Sequence, residues 1–240
     1  MTESQTQLQN ALTTTFLANL AFLSEYDNEL YHRIDELSRM IENGTYKEKY
    51  ALEFIMENGD FDIYDIVNDK YLYDKQISKF NNKAVSQINF DTKGSFSIIE
   101  SLYVSDKEFL DNKKIFENNL FLEKAFLQKQ DLNEYREVLK EDLSNYRNKK
   151  IKNIDKFIFI GTLLGRHIPR ILKKTNAKNF LVCERNLEIF RLSLFVIDYS
   201  VLARDDKRVV FSIMDEKFSF NQQGSNFLRN NYHQNSVIKY

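Results

Sequence analysis

The chain has 240 residues, with 34 Lys plus Arg against 35 Asp plus Glu, 20 Phe, 13 Tyr, six Gly, one Pro and one Cys. That length supports a core without covalent staples, and the lone Cys183 excludes a disulfide framework, which points to a reducing compartment and hence the cytoplasm. A net charge of -1 gives no field for capturing nucleic acid, and no run approaches the ~18 apolar residues of a membrane span.

The opening "MTESQTQLQNALTTTF" lacks the basic and apolar regions of a secretory signal. Leu8, Leu12, Phe16, Leu20 and Leu23 recur at helical spacing, and after "SEYDNE" so do Leu30, Ile34, Leu37 and Ile41. This predicts a helical hairpin that ends at Asn43 and Gly44, with His32 on the polar side of its second helix. From Tyr50 the period becomes alternating. Tyr50, Leu52, Phe54 and Met56 share one face, Asn58 and Gly59 turn the chain, and Phe61 and Ile63 resume. A second turn at Asn68 and Asp69 leads to Tyr71 and Tyr73, completing an antiparallel meander of about three strands. "NKAVSQINF" and "GSFSIIESLYV" are candidates for further pieces of it.

A long helical region is expected between about Asp106 and Lys150, with Leu132, Tyr135, Leu139 and Tyr146 as its stripe, and the basic run "RNKKIKN" closes it as a solvated helix end. Then "KFIFIG", "GRHIPRILKKT", "NFLVCE", "NLEIFRLSLFVIDYSVLA" and "RVVFSIM" alternate as βαβαβ, which calls for a parallel sheet. Asn186 is placed to cap the second of these helices, whose buried face reads Leu187, Phe190, Leu194, Ile197 and Val201. Only three such strands can be found, where a doubly wound domain has about five or six. The fold class is therefore α/β: a helical hairpin and β-meander, a long helix, then a partial Rossmann-like unit. Residues 1–150 and 151–240 form the two expected domains.

Chemistry has few footholds. His32, His167, His233 and Cys183 are scattered, so no zinc site is expected, and His167 reads as a surface or capping residue. Asp60, Asp62 and Asp65 lack the glycine and closing glutamate of a calcium loop, and they read as the solvated face of a strand. The turn "GTLLG" is the one candidate ligand site. It sets Gly161, Thr162 and Gly165 between strand and helix, with Glu184 ending the next strand where an acid that grips a ribose stands. Leu163 and Leu164 occupy the place of the close-approach glycine of a nucleotide fingerprint. The competing reading makes the two glycines a tight turn and Glu184 a cap for the next helix.

"FIFIGTLLGRHIPRILKK", "NFLVCERNLEIFRLSLFVIDYSVLA" and "YALEFIMENGDFDIYD" together resemble the N-terminal domain of the motility accessory factor family of flagellin glycosyltransferases. The most specific run is Glu184, Asn186, Leu187, Glu188, Phe190, Ser193, Leu194 and Phe195, similar to a family pattern E-x-N-L-E-x-F-x-x-S-L-F. The resemblance implies a parent enzyme that moves pseudaminic or legionaminic acid from a CMP-activated donor to Ser or Thr of flagellin. It also implies a downstream transferase domain with a Gly-Pro-Ser-Leu type motif. That motif is absent here, since the lone proline is Pro169. This segment is therefore expected to carry no cofactor and to bind flagellin or scaffold its neighbour. Two other readings stay open: a small-molecule enzyme resembling S-adenosylmethionine-dependent methyltransferases, or a protein-only adaptor.

Overall fold

The computed structural model describes residues 3–91, 95–97, 154–229 and 237–239. The chain forms two compact units, one of Met1–Ile88 with Phe157–Asn230 and one of Asn89–Lys156 with Asn231–Tyr240.

In the first unit, helices α1 (Glu3–Tyr26) and α2 (Asn28–Glu42) make the expected hairpin. The Asp27 carboxylate caps α2 by accepting from the Leu30 amide, and Leu23, Leu30, Ile34 and Leu37 are buried. Strands β1 (Tyr50–Ile55), β2 (Asp60–Asp65) and β3 (Lys70–Tyr71) form the antiparallel meander, with Ile55 paired to Asp60 and Asp65 to Lys70. Its apolar face differs from the expected one near the turn: Ile55 is buried, while Phe54 and Met56 are exposed. Helix α3 (Ile77–Gln87) follows, so "NKAVSQ" is helical rather than a further strand. Buried Ile77 and Asn81 stand four apart, and the Phe80 ring meets Tyr73 edge-on at 5.0 Å, a spacing that suits a helix.

The long helix expected between 106 and 150 lies outside the described residues. Beyond it come β5 (Lys156–Ile160), α4 (His167–Thr175), β6 (Asn179–Glu184), α5 (Leu187–Ser193), α6 (Tyr199–Leu202), β7 (Arg208–Ile213) and α7 (Lys217–Arg229). The strands lie parallel in the order β5-β6-β7, so the architecture is mixed α/β as read from the sequence. Pro169 falls in the first turn of α4, where its missing amide proton costs little. One expected helix is two, since the chain leaves helical geometry between Ser193 and Tyr199. Asn19 of α1 bridges that gap. Its Nδ2 donates to the carbonyls of Leu194 and Ile197 at 2.7 and 2.6 Å, and its Oδ1 accepts from the Tyr199 amide at 2.8 Å. Val201 is exposed on α6, outside the face expected for it.

The meander packs onto the parallel layer through one apolar cluster of Ile55, Phe61, Ile63, Tyr73, Ile77, Leu164, Ile189 and Leu192. A second set of rings, Phe190, Tyr199 and Phe211, meets within 5.7 Å. In the second unit, β4 (Ser95–Ser97) pairs antiparallel with β8 (Val237–Lys239). The buried ammonium of Lys239 there donates to the carbonyls of Asn89 and Asp91.

Candidate functional site

The mouth of the parallel layer is built by the turn after β5 and the end of β6. Gly161 stands at φ +83° with its amide donating to the Cys183 carbonyl at 2.8 Å, so the turn begins as an extension of the sheet. The next amide, of fully buried Thr162, donates to Glu184 Oε2 at 2.8 Å, and its hydroxyl donates to the same oxygen at 3.0 Å. Leu163 takes a left-handed φ of +46°, and the Leu164 amide then donates to the Tyr73 hydroxyl at 2.9 Å. Gly165 closes the turn, its amide on the Thr162 carbonyl at 2.7 Å. Its φ is +71°, and a Cβ there would lie 3.1 Å from Ile197 Cγ1 and 3.3 Å from the Tyr199 hydroxyl, so both backbone angle and space call for glycine.

The structure thus brings Gly161, Thr162, Gly165 and Glu184 together. Glu184 also accepts from the Asn186 amide at 3.1 Å, so its carboxylate links the turn to the start of α5. Three of the roughly four lone-pair directions of a carboxylate are filled in this way. The amides of Gly161, Thr162, Leu164 and Gly165, which in a phosphate-binding turn would face the ligand, all donate within the protein. Beside them Cys183 is partly buried, and burial pushes its thiol up to about 11, which keeps it protonated and unreactive at neutral pH. Across the layer, Arg33 reaches the Ile213 carbonyl at 2.6 Å and Asp215 at 3.3 Å, and Ser212 donates to the other oxygen of Asp215.

His167 differs from its expected surface position. It is buried at the start of α4, with its ring edge-on to Phe159, and burial pushes its imidazole down to about 4. The neutral ring at physiological pH is thus a packing element with an unused Nδ1 among the described residues. The aspartates of β2 also differ from the solvated face expected. Asp62 is fully buried and accepts from the amides of Ile63, Tyr73 and Lys75, pinning the left-handed pair Asp74 and Lys75. Burial outweighs these bonds and raises its carboxyl above the ordinary range. Asp65 caps the turn that follows by accepting from the Asn68 side chain and the amides of Asn68 and Val67, and those bonds lower its carboxyl. Their job is to satisfy backbone donors at tight turns. Among the described residues no group of three His, Cys, Asp or Glu is placed to hold a metal ion, and no helix is long and apolar enough to cross a membrane.

A family described as "Glycosyltransferase Maf N-terminal domain" matches residues 15–235. The chain belongs to that family. Among solved structures, a Maf glycosyltransferase from Magnetospirillum magneticum AMB-1 is similar, with a TM-score of 0.56 and 17% identity, covering 90% of this chain. That likeness speaks to the fold, and the chain spans 30% of the length of that structure. No curated protein matches the chain by sequence.

In this Maf-family domain Glu184, Asn186, Glu188, Arg191 and Ser193 of the run each bond within the chain. Asn186 caps α5 by accepting from the amides of Glu188 and Ile189. The Glu188 carboxylate, 2% exposed, accepts from the amides of Lys49 and Tyr50 at 2.7 and 2.8 Å and from the Tyr46 hydroxyl at 2.9 Å, clamping the start of β1 to α5. Arg191 donates to Ser38 Oγ and lies against the rings of Phe16 and Phe195, which stack at 4.2 Å. Ser193 bonds the Phe190 carbonyl and the Tyr199 hydroxyl. Composition and spacing offer no sign of the bonds from Glu188 to Lys49, Tyr50 and Tyr46 or from Arg191 to Ser38, because those partners lie more than a hundred residues away.

Proposed function

We propose that this chain is the non-catalytic N-terminal module of a transferase that attaches a nonulosonic acid of pseudaminic or legionaminic type to Ser or Thr of flagellin. The CMP-activated donor is held by a domain downstream, the reaction takes place in the cytoplasm, and the module binds flagellin or holds the transferase domain in place. The observation that carries the reading is the use of the Glu184, Asn186, Glu188, Arg191 and Ser193 side chains, and of the amides of Gly161, Thr162, Leu164 and Gly165, in hydrogen bonds internal to the chain. A site selected for turnover keeps strong donors and acceptors free for its substrate. Should a small molecule dock at the sheet mouth, Gly161, Thr162, Gly165 and Glu184 are its contacts, with a ligand hydroxyl donating to the remaining acceptor direction of Glu184.

The experiment has two arms. The purified chain is mixed with flagellin and CMP-nonulosonate, and intact-mass spectrometry follows the flagellin; no mass gain is expected. Immobilised chain is then used to capture flagellin, alone and with the separately expressed transferase domain. Capture in either arrangement supports the module reading. Sugar transfer by the isolated chain overturns the non-catalytic reading, and saturable binding of S-adenosylmethionine, CMP or NAD that is lost in Glu184→Ala supports the small-molecule enzyme instead.

A further inference from the structure

The tripeptide Glu-Asn-Gly occurs twice, at Glu42-Asn43-Gly44 and at Glu57-Asn58-Gly59, so the same local chemistry stands in two structural settings. A glycine after asparagine has no side chain to shield its main-chain nitrogen from the asparagine amide. Both asparagines are exposed, and both glycines take a left-handed φ, +68° at Gly44 and +65° at Gly59, with open space around each. Their amides are bonded alike, Gly44 to the Ile41 carbonyl at 3.0 Å and Gly59 to the Ile55 carbonyl at 2.9 Å. The asparagine side chains differ. Asn58 Nδ2 donates to the Lys75 carbonyl at 2.7 Å, and its Oδ1 accepts from the Asp60 amide at 3.2 Å, so that group is held at both ends. Asn43 follows the last turn of α2, at φ -82° and ψ 0°, and its side chain makes no hydrogen bond among the described residues.

We propose that Asn43 is a site of spontaneous deamidation in the folded chain, and that Asn58 is shielded from it. The Gly44 nitrogen, losing its proton, bonds to Asn43 Cγ; the bond from Cγ to Nδ2 breaks, and ammonia leaves carrying that proton. Water, the only co-reactant, then opens the cyclic imide at either carbonyl and gives aspartate or isoaspartate. At Asn58 the side chain must first give up two bonds, whereas a helix end such as that at Asn43 opens at little cost. The product bears on the fold. It puts a carboxylate at the C-terminal end of α2, where the helix carbonyls already carry partial negative charge. Isoaspartate also lengthens the main chain by a methylene inside the turn that the Thr45 and Tyr46 amides close by donating to the Met40 carbonyl at 2.9 and 3.0 Å. The Tyr46 hydroxyl donates to Glu188, so the modification falls beside the bonds that clamp β1 to α5. This inference does not depend on the transferase reading above, since it needs neither donor sugar nor flagellin.

The second tripeptide is the internal control. The folded chain is kept at mildly alkaline pH and physiological temperature, and peptide mapping by mass spectrometry follows conversion at both asparagines, with isoaspartate counted by enzymatic methylation. Asn43 should convert about tenfold or more faster than Asn58, the size of the two side-chain bonds made only at Asn58. In urea, where both tripeptides stand in an open chain, the two rates should agree within about twofold. Equal rates in the folded chain, faster conversion at Asn58, or an Asn43 that converts only in urea overturns the proposal. So does a tenfold difference that persists in urea, because sequence rather than structure then sets it. The separated isoaspartate form should also lose hydrogen-exchange protection at the Thr45 and Tyr46 amides, and protection retained there would remove the link to the clamp.

Discussion

The sheet mouth and a cleft between α3 and α4, lined by Asp60, Asn81, Arg166 and Arg170 among others, both present polar groups at the start of α4, yet they differ in how those groups are used. At the mouth, Glu184 accepts from the amide and hydroxyl of Thr162, and the Tyr73 hydroxyl accepts from the Leu164 amide. Behind the cleft wall, Asn81 Oδ1 and Arg166 Nε are buried with no partner among the described residues. The lesson is that the part of this chain most readable as a motif is the part bound up in its own architecture, while the part with unpartnered polar atoms has no motif at all. Substitutions at the first region should therefore act strongly on stability, and those on the exposed rim of the second only weakly.

The largest effect is expected at Glu188. Glu188→Ala removes the buried carboxylate that accepts from the amides of Lys49 and Tyr50 and from the Tyr46 hydroxyl, and should destabilise the fold by about 3 to 5 kcal/mol in urea unfolding. Glu188→Gln keeps one accepting oxygen and should cost about half as much. An Ala variant as stable as the unaltered chain would break the structural reading of the motif.

Next in size is a pH effect. His167 titrates at about 4 when folded, against an ordinary 6.5. The unfolded chain therefore takes the proton first, so this residue's contribution is complete above pH 6.5 and is lost as pH falls toward 4. The loss amounts to about 3 kcal/mol, read as the difference in unfolding midpoint between pH 7.5 and 4, and His167→Leu should remove that part of the slope.

The two glycines of the turn offer a sharper contrast. Gly165→Ala brings a Cβ to 3.1 Å from Ile197 at a φ of +71°, and should cost about 2 to 3 kcal/mol. Gly161→Ala has a φ of +83° but open space around the Cβ, and should cost about 1 kcal/mol by thermal unfolding. Smallest of all, Arg170→Gln, at an exposed position, should stay within about 0.5 kcal/mol of the unaltered chain by thermal unfolding.

What could be read beforehand follows from how far each signal reaches along the chain. The helical hairpin is written in the 3.6-residue spacing of Leu23, Leu30, Ile34 and Leu37, and the βαβαβ alternation in apolar runs parted by glycine and asparagine. Both are local. Period-two reasoning assigned Asp62 and Asp65 to solvent because it knows only two faces, whereas tight turns folded back over that face and recruited the carboxylates for their amides. The break after Ser193 depends on Asn19, far away in α1, and no window on "RLSLFVIDYS" contains it. His167 looked exposed because helix starts commonly are, until Phe159 and the neighbouring strand covered it. The cleft draws residues from β2, α3, α4 and the stretch after α5, so no sequence motif could have announced it.

Amide hydrogen exchange at Thr162 tests the central contrast most directly, because that one N–H either belongs to Glu184 or is held in reserve for a ligand. The account predicts that the Thr162 and Leu164 amides are protected in the isolated chain without any nucleotide, and that Glu184→Ala exposes Thr162 while Leu164, held by Tyr73, stays protected. A Thr162 amide that exchanges freely in the isolated chain and becomes protected only when CMP, S-adenosylmethionine or NAD is added would contradict it.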